Sequence, residues 1–355
     1  MSVYKIFPEA DTTLYSAYPS QNTGLDEILE VSVKNLNSIA GQDIRRSIVQ
    51  FNSVDLQTLQ TLKSTSSYDV YFKLYLANAE NLDSVYTLNF NQVDANWSMG
   101  TGKFSDSPIT TNGASWYSTG SYISASNNWP NPTYYNVPGG GSWIGSTISQ
   151  SFSYKDNKDI NVKVTPFFSN WISNATNAGI IIKHSASIES NSNSFKVLNF
   201  FSLDTHTIYP PCLEMRWDDS SYSTGSLSVM NNTNTELSLV NNPYTIKSKT
   251  DKYIFRVAAR DKYPARTFST SSIYLVNKAL PQTSYWAIQD VKTEDMIIDF
   301  DTSYTKISCD SIGSFFNVYM SGLEPERYYK ILVKYVLNSG ESVVVDNNSI
   351  FKIVR

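Results

Sequence analysis

Two histidines, His184 and His206, are the only imidazoles in this chain of 355 residues. Both fall in or beside strand-like segments, with no nucleophile or ligand motif nearby. General acid–base work needs partners within hydrogen-bond reach, and a zinc site needs three or four N, S or O ligands at close spacing. Each is therefore read as a structural or surface imidazole. Gly100-Thr101-Gly102-Lys103 has the outline of a phosphate loop, but without the later Gly-Lys-Ser/Thr or a strand-to-helix setting it reads as a turn. Asp299 and Asp301 flank Phe300; on a strand they share one face, too close to hold a glycosidic bond between them, so they read as a solvated strand end. Asp11, Asp218 and Asp219 are Ca²⁺ candidates if the fold gathers them with carbonyl oxygens, and no other cofactor is expected. Cys212 and Cys309 read as reduced, buried thiols. The aromatic residues are the remaining candidates. Trp97, Trp116, Trp129 and Trp143 either stack on sugar rings, if exposed and coplanar, or hold a loop, if buried, and tryptophan's high average burial favours the second. Tyr122, Tyr134 and Tyr135, set among Pro130, Pro132 and Pro138, suit an interface, where tyrosine is enriched.

These aromatics sit in one segment, residues 96–143, punctuated by Gly100, Gly102, Gly113, Gly120 and Gly139-Gly140-Gly141. It has little charge and no hydrophobic period. Such a loop stays disordered unless burial offsets its backbone entropy. A tryptophan every dozen or so residues supplies that burial and an N–H to fix a loop carbonyl. The expectation is an ordered excursion folded over one face of a β-domain, serving as a binding surface or a subunit contact.

The rest of the chain must supply that face. With 24 Tyr, 17 Phe and only 17% charged residues, and with Asn, Ser and Thr between the apolar runs, the composition is that of strands and turns. Period-2 patterns mark strands at 4–7, 28–33, 45–51, 70–76, 85–90, 160–164, 180–182, 195–202 and 213–217. One short helix is expected at 166–173, and no other sustained helical period precedes residue 218. After a Ser/Asn-rich junction at 219–244, strands resume at 253–259, 272–276, 296–300, 315–320, 329–336, 341–345 and 351–354. The predicted architecture is all-β: a jelly-roll-type antiparallel sandwich over 1–218, then a smaller Ig/fibronectin-like β-sandwich over 245–355. A net charge of −4 without a basic stripe excludes nucleic acid as an expected partner. There is no apolar run to span a bilayer and no signal peptide, so a cytoplasmically made protein without a membrane partner is expected.

Several stretches resemble known families. Ala10-Asp11-Thr12, Arg45-Arg46-Ser47-Ile48-Val49-Gln50-Phe51 and Lys73-Leu74-Tyr75-Leu76 resemble the opening of the DNRLRE-type domain, a β-sandwich family that includes alginate-binding carbohydrate-binding modules. Trp97, Gly113-Ala114-Ser115-Trp116, the stretch 164–171 and Asn177-Ala178-Gly179-Ile180 resemble its middle. Phe200-Phe201-Ser202 and Pro210-Pro211-Cys212-Leu213-Glu214-Met215 resemble its closing strands, in the family's order. The chain departs from it between Trp116 and Trp143. Gly322-Leu323-Glu324-Pro325-Glu326-Arg327-Tyr328-Tyr329 resembles the tyrosine-corner strand of fibronectin type III or Ig-like domains. There Pro325 would fix the turn, and Tyr329, sharing parity with Ile331, Val333 and Tyr335, would point inward and bond back to it. The two sandwiches, with Arg256-Val257-Ala258-Ala259-Arg260-Asp261-Lys262-Tyr263-Pro264 between them, resemble structural proteins of tailed bacteriophages, particularly T4-like marine ones. That resemblance implies a non-enzymatic virion component of the neck or tail/baseplate, made in the host cytoplasm and contacting other virion proteins and copies of itself. The alternative is a carbohydrate-binding module or adhesin for host-surface glycans.

Overall fold

The computed structural model describes residues 2–35, 42–63, 67–121, 128–130, 133–134, 138–153, 155–174, 176–191, 195–248, 251–264 and 276–355. The protein is all-β, with 48% strand and 9% helix, about twice the strand share of an ordinary globular domain. It divides into two compact units. The first comprises Ile6–Leu62 and Asp69–Glu214; the second comprises Met1–Lys5, Lys63–Tyr68 and Met215–Arg355.

After β1 (Ser2–Ile6), the chain forms β2 (Pro8–Tyr15), β3 (Ile28–Asn35), β4 (Gln42–Phe51), β5 (Tyr68–Leu74), β6 (Leu76–Glu80) and β7 (Val85–Val93). Two short strands, β8 (Thr133–Tyr134) and β9 (Pro138–Gly139), pair with each other inside the excursion. Then come β10 (Trp143–Ser153), β11 (Ile160–Lys163), β12 (Ile180–His184), β13 (Lys196–Phe201) and β14 (Cys212–Trp217). The large sheet of the first unit runs β10-β7-β12-β4-β3-β13-β6, with β2 also paired to β4; β14, β5 and β11 are neighbours in a second sheet, of four strands. Phe72 of β5 packs edge-on against Phe51 of β4 and Phe90 of β7, at ring separations of 6.1 and 6.3 Å, which joins the two sheets through the core.

The alternation expected over 70–76 serves both sheets. Val70, Phe72 and Leu74 are fully buried, but the strand breaks at Tyr75, and Leu76 begins β6, opposite Phe200 of β13. The strand β10 was not expected. It is an edge strand with most residues exposed, so its sequence carries no apolar alternation. The helix α2 (Thr165–Asn174) contains the expected 166–173 and buries Phe167, Phe168 and Trp171. A second helix, α1 (Ser53–Leu62), corrects the expectation that none other precedes residue 218. Only Leu56 and Leu59 are buried on it, too few to mark a period, and its start is fixed by the Asn52 side chain accepting the Val54 N–H at 2.8 Å. A single turn, α3 (Ala186–Glu189), follows β12.

The second unit contains β15 (Thr235–Leu239), β16 (Thr245–Lys247), β17 (Lys252–Asp261), β18 (Ser284–Asp290), β19 (Met296–Ile298), β20 (Ser308–Cys309), β21 (Ser314–Tyr319), β22 (Tyr328–Val336) and β23 (Ser342–Val354). Its sheets run β15-β17-β21-β20 and β16-β23-β22-β18-β19. Phe316 of β21 stacks on Trp286 of β18 at 5.2 Å, and Phe255 of β17 packs on Phe351 of β23 at 5.5 Å, so rings from both sheets meet in one core. The 219–244 junction belongs to this unit and contributes β15. Almost every residue of β18 is buried, so it lacks the alternation that marks a strand, and the sequence reading missed it. The two strands expected at 341–345 and 351–354 are one, β23. Of the strand expected at 272–276, residues 272–275 lie outside the described residues. Among the described residues, no helix is long and apolar enough to cross a membrane.

Candidate functional site

The excursion is anchored by an arginine. Arg46 lies on β4 with no solvent exposure. Its Nε and Nη2 donate to the two carboxylate oxygens of Glu189 at 3.0 and 2.7 Å, and its Nη1 donates to the carbonyl of Gly140 at 2.6 Å. The planar fork of a guanidinium suits this bidentate pairing. The same group lies 5.1 Å from the ring centroid of Trp116 and 5.3 Å from that of Trp143, within cation–π range. Arg46 thus ties the sheet, α3 and the excursion together. Gly140 is required there: its φ is +87°, and a Cβ would lie 2.6 Å from Arg46 Nη1. Lys183 of β12 extends the cluster, with its Nζ 4.5 Å from the Trp143 ring centroid. Burial pushes the Lys183 ammonium below its ordinary pKa, against the pull of Glu189.

A second hub is Asn22, also fully buried. Its Nδ2 donates to the carbonyls of Met99 and Ala114 at 2.7 and 2.9 Å, and its Oδ1 accepts the Gly102 N–H at 2.9 Å. At Gly113 a Cβ would come within 2.5 Å of Asn22 Nδ2, so the loop closes onto this amide only because a glycine stands there. Nothing in the residue type marks Asn22 as a hub, because its partners are remote in sequence.

The tryptophans turn inward. Trp116 and Trp129 are buried in a cluster with Leu14, Ile44, Ile48 and Ile181, while Trp97 and Trp143 are half-buried against it. Trp129 Nε1 donates to the Ser115 carbonyl at 3.0 Å, and Trp97 Nε1 to the Ala178 carbonyl at 2.8 Å. As interface or glycan candidates Trp116 and Trp129 are therefore corrected: their faces are covered by their own chain. Tyr122 and Tyr135 lie outside the described residues. Tyr134 lies on β8, and its side chain is outside the described residues too.

The other candidates remain scattered. His184 is buried in β12, and burial pushes its imidazole down to about 4, so it is neutral at pH 7. His206 is exposed, 3.8 Å from Glu27. Gly100-Thr101-Gly102-Lys103 forms irregular backbone beside Asn22. Asp218 accepts the backbone and side chain of Ser220, and Asp219 accepts the Ser2 hydroxyl at 2.9 Å, both in the second unit, whereas Asp11 belongs to the first. Asp299 and Asp301 lie beyond the end of β19; Asp301 caps a turn by accepting the N–H groups of Ser303 and Tyr304. Both cysteines are buried thiols outside any disulfide. Among the described residues, no group of three or more His, Cys, Asp or Glu is placed to hold a metal ion.

In the second unit the Tyr329 ring is buried, and its hydroxyl accepts the Glu324 N–H at 2.8 Å, while Tyr328 is exposed. Pro325 follows Glu324 in that turn. Beside it lies an open groove of about 680 Å³, whose wall includes Asn242, Tyr244, Tyr328, Asn347, Asn348 and Lys352. Tyr244 is 87% and Tyr328 54% exposed, so this groove carries an open aromatic surface. Tyr328, Lys352 and Thr245 sit abreast on three adjacent strands. Sequence reading missed it because the residues come from opposite ends of the unit.

A scan against protein-family models gives no match, and a search of the curated proteins gives none either.

Proposed function

We propose that this protein is a non-enzymatic structural component of a tailed-phage virion, in the neck or the tail/baseplate, that works by contact with other virion proteins and with copies of itself. The motif order of the two resembled sandwiches supports the reading. The observation that carries it is the clamp on the excursion: Arg46, Glu189 and Gly140 fix a long loop whose tryptophans pack inward. A preorganised surface loses little freedom on docking, which suits a building block. Exposed Tyr244 and Tyr328 supply aromatic contact area of the kind enriched at interfaces.

The second reading is glycan recognition, and the same groove favours it, since tyrosine faces stand beside the side-chain amides of Asn242, Asn347 and Asn348. One experiment separates the two. Tyr244→Glu with Tyr328→Glu changes only exposed rings, so the purified protein should keep its unfolding temperature. Under the structural reading, particles assembled with this variant stall or lack the protein. Complete particles that fail to adsorb to the host would replace the structural reading with the glycan one.

A further inference from the structure

A carboxylate pair in the first unit has oxygens that nothing in the chain satisfies. Asp11 lies on β2, opposite Val49 of β4, with 1% exposure. Its Oδ2 accepts the Leu203 N–H at 2.6 Å, which brings the turn after β13 against β2. The next residue in that turn is Asp204. Asp11 Oδ1 and Asp204 Oδ2 are both buried, and neither has a hydrogen-bond partner. The turn is held in place: Ser202 Oγ donates to the Asp26 carbonyl at 2.6 Å, the Ser202 N–H to the Glu27 carbonyl at 3.1 Å, and the Asp204 N–H to Ser202 Oγ at 3.2 Å. Two buried carboxylate oxygens without donors are strongly unfavourable unless a cation or a proton lies between them.

We propose that Asp11 and Asp204 are the two carboxylate ligands of a Ca²⁺ site between β2 and the turn after β13. Oxygen donors without histidine or cysteine select a hard cation over zinc or copper. Ca²⁺ accepts six to eight oxygens in flexible geometry, so backbone carbonyls of the turn and water complete the shell; Mg²⁺ demands a stricter octahedron and keeps more of its water. Of the nearby cations, Lys103 reaches Glu27 at 4.0 Å, and His206 is exposed beside the same carboxylate. Asp26, half-buried nearby, has its carboxyl occupied by the Phe104 N–H. The site differs from the grouping expected from sequence, since Asp204 takes the place of Asp218 and Asp219.

The test uses the full-length protein. Chelator-treated protein is titrated with CaCl₂, and separately with MgCl₂ at matched ionic strength, by calorimetry and thermal unfolding. The expected result is about one Ca²⁺ per chain and a Tm that rises and saturates with Ca²⁺, as ligand linkage requires, with a smaller response to Mg²⁺. Asp11→Asn and Asp204→Asn should each lose the Ca²⁺ response, and in chelator each should unfold no earlier than the parent. Two results overturn the proposal. Parent protein that binds no Ca²⁺ and unfolds identically in Ca²⁺ and chelator leaves a shared proton as the occupant. Ca²⁺ binding retained by both variants places the ion elsewhere. The parent measurement decides even if a variant fails to fold.

Discussion

Burying a guanidinium costs several kcal/mol unless its partners are complete, and at Arg46 they are complete only in the assembled excursion. Arg46→Ala should cost about 3–5 kcal/mol in chemical denaturation because it strands the Glu189 carboxylate, whereas replacing both residues with apolar ones of similar volume should cost far less. A full loss in the double variant would show that the pair's role is specific to the loop's path. Gly140→Ala should destabilise by about 1–3 kcal/mol, from strained backbone and the crowded guanidinium. Two buried titrating groups make opposite contributions to pH dependence. His184, held neutral, favours the fold above its ordinary 6.5, and that contribution is lost as the pH falls toward about 4. Asp11 without a cation favours the fold when protonated, and its contribution is lost as the pH rises from 3.8 through about 8. In chelator, Asp11→Asn should therefore lose less stability than the parent over that interval, as read by denaturant midpoints. At this scale the sequence was half legible. Inward packing of the tryptophans followed from tryptophan's habit of burial. The burial of Arg46 did not, since a charged strand residue reads as an outward one and its partner Glu189 is remote in sequence.

Among the elements, the turn into β22 carries the clearest local chemistry. Parity alone placed Tyr329 inward, because Ile331, Val333 and Tyr335 share its face. Tyr329→Ala should cost about 3–5 kcal/mol, the range for removing a large core ring, while Tyr328→Ala should stay within about 0.5 kcal/mol, as surface changes do; equilibrium urea unfolding of each variant checks the order. Asp290, at the end of β18, also holds this region. Its burial would raise the carboxyl pKa, but the N–H groups of Thr293 and Lys292 and the guanidinium of Arg327 outweigh it and hold the pKa below 3.8. The stability this adds is present above 3.8 and is lost as the pH falls through the folded value. Asp290→Asn should therefore shrink the difference in midpoint between neutral and acid unfolding. Period-2 alternation found the half-buried strands. It failed at β18, buried along nearly its whole length, and at β10, mostly exposed, because both lose the contrast the pattern depends on. It failed at α1 because two buried leucines do not make a helical stripe.

For the whole molecule, the two units interleave in sequence. The first five residues count with the second unit, where Val3 joins the core, Lys5 Nζ donates to the Ile297 carbonyl at 2.8 Å, and Tyr4 packs on Tyr319 at 5.4 Å. A cut after Asp218 would part them from that core. The 1–218 fragment should keep the first unit but expose Val3 and Tyr4, and light scattering should detect its self-association at concentrations where the full chain stays monodisperse. Val3→Asp in the full chain should lower the unfolding midpoint of the second unit. An all-β chain with two sandwiches was legible from composition and period; the assignment of residues 1–5 was not, because nothing in a strand's own pattern says which core its side chains will enter. The interleaving also bears on how the protein is made. Residues 2–5 are translated about 210 residues before Met215–Arg355, the bulk of the unit they belong to, with the short segment Lys63–Tyr68 between. At roughly 5–20 residues per second, the intervening 210 or so take roughly ten to forty seconds to synthesise. Throughout that interval Val3 and Tyr4 lack most of their core, so a holdase that shields short apolar segments during synthesis would raise the yield of native protein more than one that acts after release.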